Sequence, residues 1–190
     1  EFWLDPNSQY YNKDKFSKWE DKIIHNFINL MSKYEIDHRI PNALIDGILS
    51  DLSKVNIKDY NQLFCYSYKV AGTVGLMMCD IMGVKENSLK FNAIYLGIAI
   101  QLTNISRDVK EDLLRDRIYI PKEIRVHVKN DLHEIPLSDK LQREFSKDLK
   151  KLIDTSDIIY ELAWEGIFKL PLKYRFPIAI ASYLYQSIGT

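Results

Sequence analysis

Apolar side chains return at three- and four-residue steps along most of this chain, which is the spacing of a helix with one buried face. The first such run takes in Phe16, Trp19, Ile23, Phe27, Leu30 and Tyr34, with Lys18, Glu20, Asp21 and Lys22 between them. A second helix is expected from Pro41, a residue suited to a first helical turn, through Leu44, Ile45, Ile48 and Leu52. A third is expected from about Tyr60 to Met82, apolar on most faces and carrying Gly72 and Gly75 inside it. Glycine costs about 1 kcal/mol relative to alanine in a helix interior, so close backbone approach is the expected compensation. A fourth is expected from about Ser88 to Arg115, stopping before Ile118-Tyr119-Ile120-Pro121, where the proline ends regular structure. Two more follow, about Ser138 to Lys169 and Pro171 to Ser187, with 122–137 mostly loop. With 7 Gly and 6 Pro in 190 residues, turns are too scarce for a hairpin-rich architecture. No repeat or long linker divides the chain, so a single all-α domain over 1–190 is predicted.

The charge balance, 26 Lys and Arg against 26 Asp and Glu, provides no basic field for a nucleic acid. No apolar run reaches the roughly 18 residues of a bilayer span, because Asn92, Gln101 and Asn104 interrupt the best stretch. Glu1-Phe2-Trp3-Leu4-Asp5 has neither an initiating Met nor a leader pattern, and the N-terminus reads as a cut. Cys65 and Cys79 would be about 21 Å apart along one helix, too far to pair. They read as reduced core thiols of a cytosolic protein. His25, His38, His127 and His133 show no ligand spacing.

The informative segment is Gln101-Leu-Thr-Asn104-Ile-Ser-Arg107-Asp108-Val-Lys-Glu111-Asp112. On a helix, taking Asp108 as origin, Asp112 and Asn104 lie about 40° to either side and Gln101 about 20° away. These four polar groups share a stripe that continues the flank of the apolar turns from Ile94 to Ile100, so they are expected to point into the domain. Two carboxylates one turn apart with an amide oxygen a turn earlier form an all-oxygen donor set, suited to Mg²⁺ completed by waters and substrate phosphate. Arg107 and Arg117 add guanidinium forks for phosphate. The spacing leaves a second reading open, a solvated helix end in which Arg107, Lys110, Arg115 and Arg117 pair with Asp108, Glu111, Asp112 and Asp116.

The string Asn104-Ile-x-Arg107-Asp108-Val-x-Glu111-Asp112, followed by Arg117-Ile-Tyr119-Ile-Pro121, resembles the second aspartate-rich region of the squalene and phytoene synthase family. Leu63-Phe-Cys-Tyr66-Ser-Tyr68-Lys-Val70-Ala-Gly72-Thr-Val-Gly75 is similar to that family's Tyr-Cys-Tyr-x-Val-Ala-Gly-Thr-Val-Gly helix, with Ser67 in place of the usual Cys. Leu44-Ile-Asp46-Gly through Asp51-Leu and Leu170-Pro-(x)₃-Arg175-Phe-Pro also fit, so the likeness runs over nearly the whole chain. It implies an all-α isoprenoid (terpenoid) synthase fold, here lacking its upstream helices. The implied activity is Mg²⁺-dependent head-to-head joining of two farnesyl or geranylgeranyl diphosphates, in isoprenoid or carotenoid biosynthesis. The product would be of squalene, dehydrosqualene or phytoene type, with NADPH needed only for squalene.

In that scheme Asp108 and Asp112 hold metal with help from Asn104, and Arg107, Gln101, Arg117 and Tyr119 line the diphosphate end. Tyr66 and Val70 project one turn apart into the reaction cavity. With Trp19 at the position of a Trp in the family, Asp5 falls at the last aspartate of the first acidic motif and Glu1 at its first, with Phe2 replacing the second acid. Such a protein is expected in the cytosol, peripheral to a membrane where its lipid-like substrates partition. Two rivals are a catalytically silent homologue acting as an assembly or binding factor, and a cyclase using one diphosphate.

Overall fold

The computed structural model describes residues 17–126 and 139–189, with side chains of 17–126 and 143–189. Two stretches form units, Glu1–Arg39 and Ile40–Thr190. In the first, α1 (Lys18–Tyr34) opens on a reciprocal cap. The Ser17 hydroxyl accepts from the Glu20 N–H, and the Glu20 carboxylate accepts from the Ser17 N–H at 2.8 Å. Glu35 ends the helix in the left-handed region at φ 54°.

The second unit holds α2 (Arg39–Ser50), α3 (Tyr60–Ser67), α4 (Thr73–Met82), α5 (Asn87–Arg107), α6 (Val109–Leu114), α7 (Asp139–Ile167) and α8 (Leu172–Ile188). The helical reading therefore holds, with bounds close to those expected. α5 is the central member, packed along α7 and against α4 and α8. Leu63, Ile98, Leu102, Ile105, Tyr119 and Leu152 are among the residues of one buried cluster at its heart. The apolar period of α5 explains its position, since helices hydrophobic on several faces are stable only when surrounded.

Three features depart from the sequence expectation. Helix three is not uniform, because the residues Tyr68–Gly72 between α3 and α4 form a π turn in which the Thr73 N–H bonds back to the Tyr68 carbonyl. One residue more per turn fits there because Gly72 lacks a Cβ that would press on the Tyr68 ring and Ile94. Helix four is bent at Asp108 (φ −97°, ψ 11°), which separates α5 from α6. The backbone bonds survive the bend, with Asp108 N–H to Asn104 carbonyl and Asp112 N–H to Asp108 carbonyl each 2.9 Å. Finally, β1 (Val55–Asn56) pairs in parallel with β2 (Arg117–Ile118), in the register Val55 to Arg117. A two-residue strand is too short to leave a period in the sequence.

That small ladder matters because it ties the segment after α6 to the segment after α2. Asp116 turns the chain into it through a left-handed conformation, φ 57°, and the Ile57 N–H bonds to the Ile118 carbonyl at 2.9 Å. Gly72 and Gly75 act as the helix-packing positions they were expected to be, and Gly97 is a third. A Cβ on Gly75 would strike the Ala93 carbonyl, and one on Gly97 the Ala71 carbonyl. The backbones of α5 and of the π turn and α4 therefore touch. One expectation fails here: Cys79 is a buried thiol, but Cys65 is exposed and is no core residue.

Candidate active site

The four-residue stripe keeps its company in three dimensions. Gln101, Asn104, Asp108 and Asp112 line a single polar pocket of about 230 Å³. Arg107, Arg117, Tyr66 and Tyr119 line it as well, and so does Asp51. Among the described residues proposed from sequence, only Val70 lies elsewhere: it lines an apolar cavity of about 380 Å³ between α4, α5, α7 and α8. Val74, Met78, Met82, Leu89 and Ile178 form much of that cavity's greasy wall. Gln101 and Asn104 belong to both. The polar pocket and the apolar slot therefore meet at these two amides, which contribute to the wall of each. Glu1 and Asp5 lie outside the described residues, and Trp19 is highly exposed on α1.

Charge in the pocket is unevenly held. Arg107 grips its neighbour Asp108 with Nε to one carboxylate oxygen and Nη2 to the other, both at 2.7 Å. That fork holds the Asp108 carboxyl below the usual aspartate range. Asp112 has no such fork. Burial first, then the charge of Asp108, pushes it up to about 6, with Arg117 acting in the opposite direction.

The third donor of the proposed metal set is Asn104. Its Nδ2 leans towards Gln101 Oε1 at 3.5 Å, and its buried Oδ1 has no hydrogen-bond partner. A buried amide oxygen without a partner is costly, at about 1–3 kcal/mol. Set beside a carboxylate that resists ionising, it marks a place where a cation would satisfy both. The donor types, two carboxylates and an amide oxygen, fit Mg²⁺. Among the described residues no group of three or more His, Cys, Asp or Glu converges on one point; a cation held by this set would need further ligands, such as substrate oxygens or water.

Asp51, which the sequence marks only as part of a family-like segment, also lines the pocket. Its Oδ2 accepts from the Tyr66 hydroxyl at 2.9 Å and its Oδ1 from the Tyr119 hydroxyl at 2.7 Å. The two rings stack with centroids 4.8 Å apart. Burial above all holds both phenols above their ordinary range, so both are protonated at neutral pH. Nothing local marks Asp51, since its partners are 15 and 68 positions away. Asp46, by contrast, is exposed on α2. Tyr68 packs against the core cluster, and Arg175 donates twice to the Leu170 carbonyl, at 3.0 and 2.8 Å, stapling α8 to the end of α7.

The described helices superpose on squalene synthase HpnC from Alicyclobacillus acidocaldarius with a TM-score of 0.73, at 17% identity over 84% of this chain and 60% of that one. A dehydrosqualene synthase in complex with ligand gives 0.63, at 27% identity over 76% and 50%. The fold is thus the all-α fold of these synthases. The chain belongs to the squalene/phytoene synthase family, whose profile matches residues 5–190. Relatives include phytoene synthase 1, chloroplastic, of Zea mays, 31% identical over 96% of this chain and 49% of its own length. The 15-cis-phytoene synthase of Enterobacter agglomerans is 34% identical over 85% and 52%. The chain spans about half the length of the curated relatives it matches.

Proposed function

We propose that this protein takes part in the head-to-head joining of two prenyl diphosphates, of farnesyl or geranylgeranyl length, to a squalene-, dehydrosqualene- or phytoene-type hydrocarbon. The observation that carries this reading is the meeting of the two cavities at Gln101 and Asn104. A substrate with an apolar tail and a diphosphate head has these same two halves in the same order. The slot between α4, α5, α7 and α8 takes the tail, where burial of hydrocarbon supplies about 25 cal/mol per Å².

Arg107 and Arg117 receive the diphosphate, their planar forks matching its paired oxygens. Asp108, Asp112 and Asn104 would hold Mg²⁺. When bound, the metal neutralises charge that builds on the leaving diphosphate. Tyr66 and Tyr119 face the point where the allylic carbon loses that diphosphate, and aromatic faces attract a cation. The mostly apolar slot walls hold few groups that would retain water beside the cation. Among the described residues no helix is long and apolar enough to cross a membrane, and the lipid-like substrate and product place the reaction at a membrane surface.

The test is incubation of the full protein with Mg²⁺ and radiolabelled farnesyl or geranylgeranyl diphosphate, followed by analysis of the hydrocarbon. A C30 or C40 product supports the reading. A product with the carbons of a single substrate makes the protein a cyclase, and no hydrocarbon from either substrate makes it a silent homologue.

A further inference from the structure

Asp51, Tyr66 and Tyr119 come from three separate stretches of chain, the end of α2, α3 and the segment after β2, and all three line the polar pocket. A phenol carries one proton. Both phenols here direct that proton at the same carboxylate, at 2.9 and 2.7 Å. Each hydroxyl then has only lone pairs left to show the pocket, and the carboxylate behind makes those oxygens more negative. Such a wall repels an oxyanion and attracts positive charge. The donors that suit an oxyanion, Arg107 and Arg117, line the same pocket, and the charge of Arg117 reaches Tyr119. Released from Asp51, either hydroxyl could rotate and donate to a diphosphate.

We infer that Asp51 is a positioning residue: its carboxylate holds the hydroxyl protons of Tyr66 and Tyr119 away from the substrate, so that their oxygens and stacked rings face the positively charged carbon of an ionised prenyl chain and not its departing diphosphate. This rests on the prenyl-transfer reading above. Asp51 touches neither reacting group; it acts through the two tyrosines.

The experiment uses the full protein with Asp51→Asn, Tyr66→Phe, Tyr119→Phe and the double variant Asp51→Asn/Tyr66→Phe. In ligand-free protein labelled with ¹³Cζ-tyrosine, two resonances, assigned by the Phe variants, move together in Asp51→Asn, because even a hydroxyl that keeps the amide oxygen loses a charged acceptor. In steady-state assays Asp51→Asn lowers kcat by roughly 10- to 100-fold, the usual scale for loss of an orienting partner. KM for the prenyl diphosphate stays within about twofold, the signature of an interaction made in the transition state. Adding Tyr66→Phe to Asp51→Asn costs little more.

A merely structural carboxylate would lower the melting temperature without this split between kcat and KM. The inference is overturned if only one tyrosine resonance moves or neither does, if KM rises while kcat holds, or if the two substitutions are additive. Should Asp51→Asn not fold, Tyr119→Phe, which keeps the ring stacking, takes its place: lower kcat at unchanged KM supports the inference, and unchanged kcat overturns it. If the full protein couples no prenyl diphosphate, the functional reading fails, while the tyrosine resonances still decide whether Asp51 holds both hydroxyls.

Discussion

Arg107 clasps Asp108, its neighbour in sequence, through two hydrogen bonds of 2.7 Å at the bend between α5 and α6. The residue assigned to diphosphate and the residue assigned to metal therefore occupy each other when both sites are empty. With the proposed roles, occupying one site would free the other and so couple the two binding events. Replacing Arg107 with Ala should tighten Mg²⁺ binding in the absence of diphosphate by about two- to fivefold, the scale of a solvent-accessible ion pair. The same change should weaken pyrophosphate binding in the presence of Mg²⁺. Titration calorimetry with each ligand alone and together reads both; equal weakening of both contradicts the coupling.

Asp112 has the opposite problem, a carboxyl pushed up to about 6 by burial and by the charge of Asp108. Because its folded value lies above the ordinary 3.8, its contribution favours folding below about pH 4 and is lost as pH rises through about 6. Without metal, Asp112→Asn should therefore be more stable than the parent at pH 7.5, and the gap should close by pH 4. Urea unfolding at the two values measures it. Mg²⁺ competes with the same proton, so its affinity should fall as pH drops through about 6.

Asn104 separates stability from activity. Its buried Oδ1 has no partner, so Asn104→Ala removes an unsatisfied group and should leave the unfolding midpoint unchanged or raised. Product formation should nevertheless drop at limiting Mg²⁺ and recover in part at high Mg²⁺. Asp108→Asn is the harsher test, expected to cost several kcal/mol of transition-state stabilisation if the carboxylate ligates metal. Turnover near that of the parent would refute the assignment.

Gly97 tests the packing that builds the slot. An added methyl would run into the Ala71 carbonyl, which is main chain and gives way only if α5 moves. Gly97→Ala should cost about 1–3 kcal/mol, as overpacking does. Gly83 makes the contrasting control: nothing lies within 4 Å of its Cβ position, but its φ of 75° penalises any side chain. Gly83→Asn should be tolerated better than Gly83→Val, since Asn accepts the left-handed region and a β-branched residue does not. Thermal melting of the three variants orders them.

Much of this molecule was legible in its local pattern. Three- and four-residue apolar spacing marks the helices because each one buries a face whatever it packs against. The stripe of Gln101, Asn104, Asp108 and Asp112 follows from helical geometry over a dozen residues, which a bend at Asp108 does not scatter. Glycine at 72 and 75 signals close approach because only the smallest residue allows it. The convergence of Asp51 with Tyr66 and Tyr119 was not legible. It depends on a two-residue ladder between β1 and β2, too short for any period, joining stretches about sixty positions apart. The exposure of Cys65 and the clasp of Arg107 on Asp108 were likewise decided by which face turned inwards. A sequence determines the faces its helices offer. Which faces meet, and which charges are left without a partner where they meet, is settled only when distant segments pack.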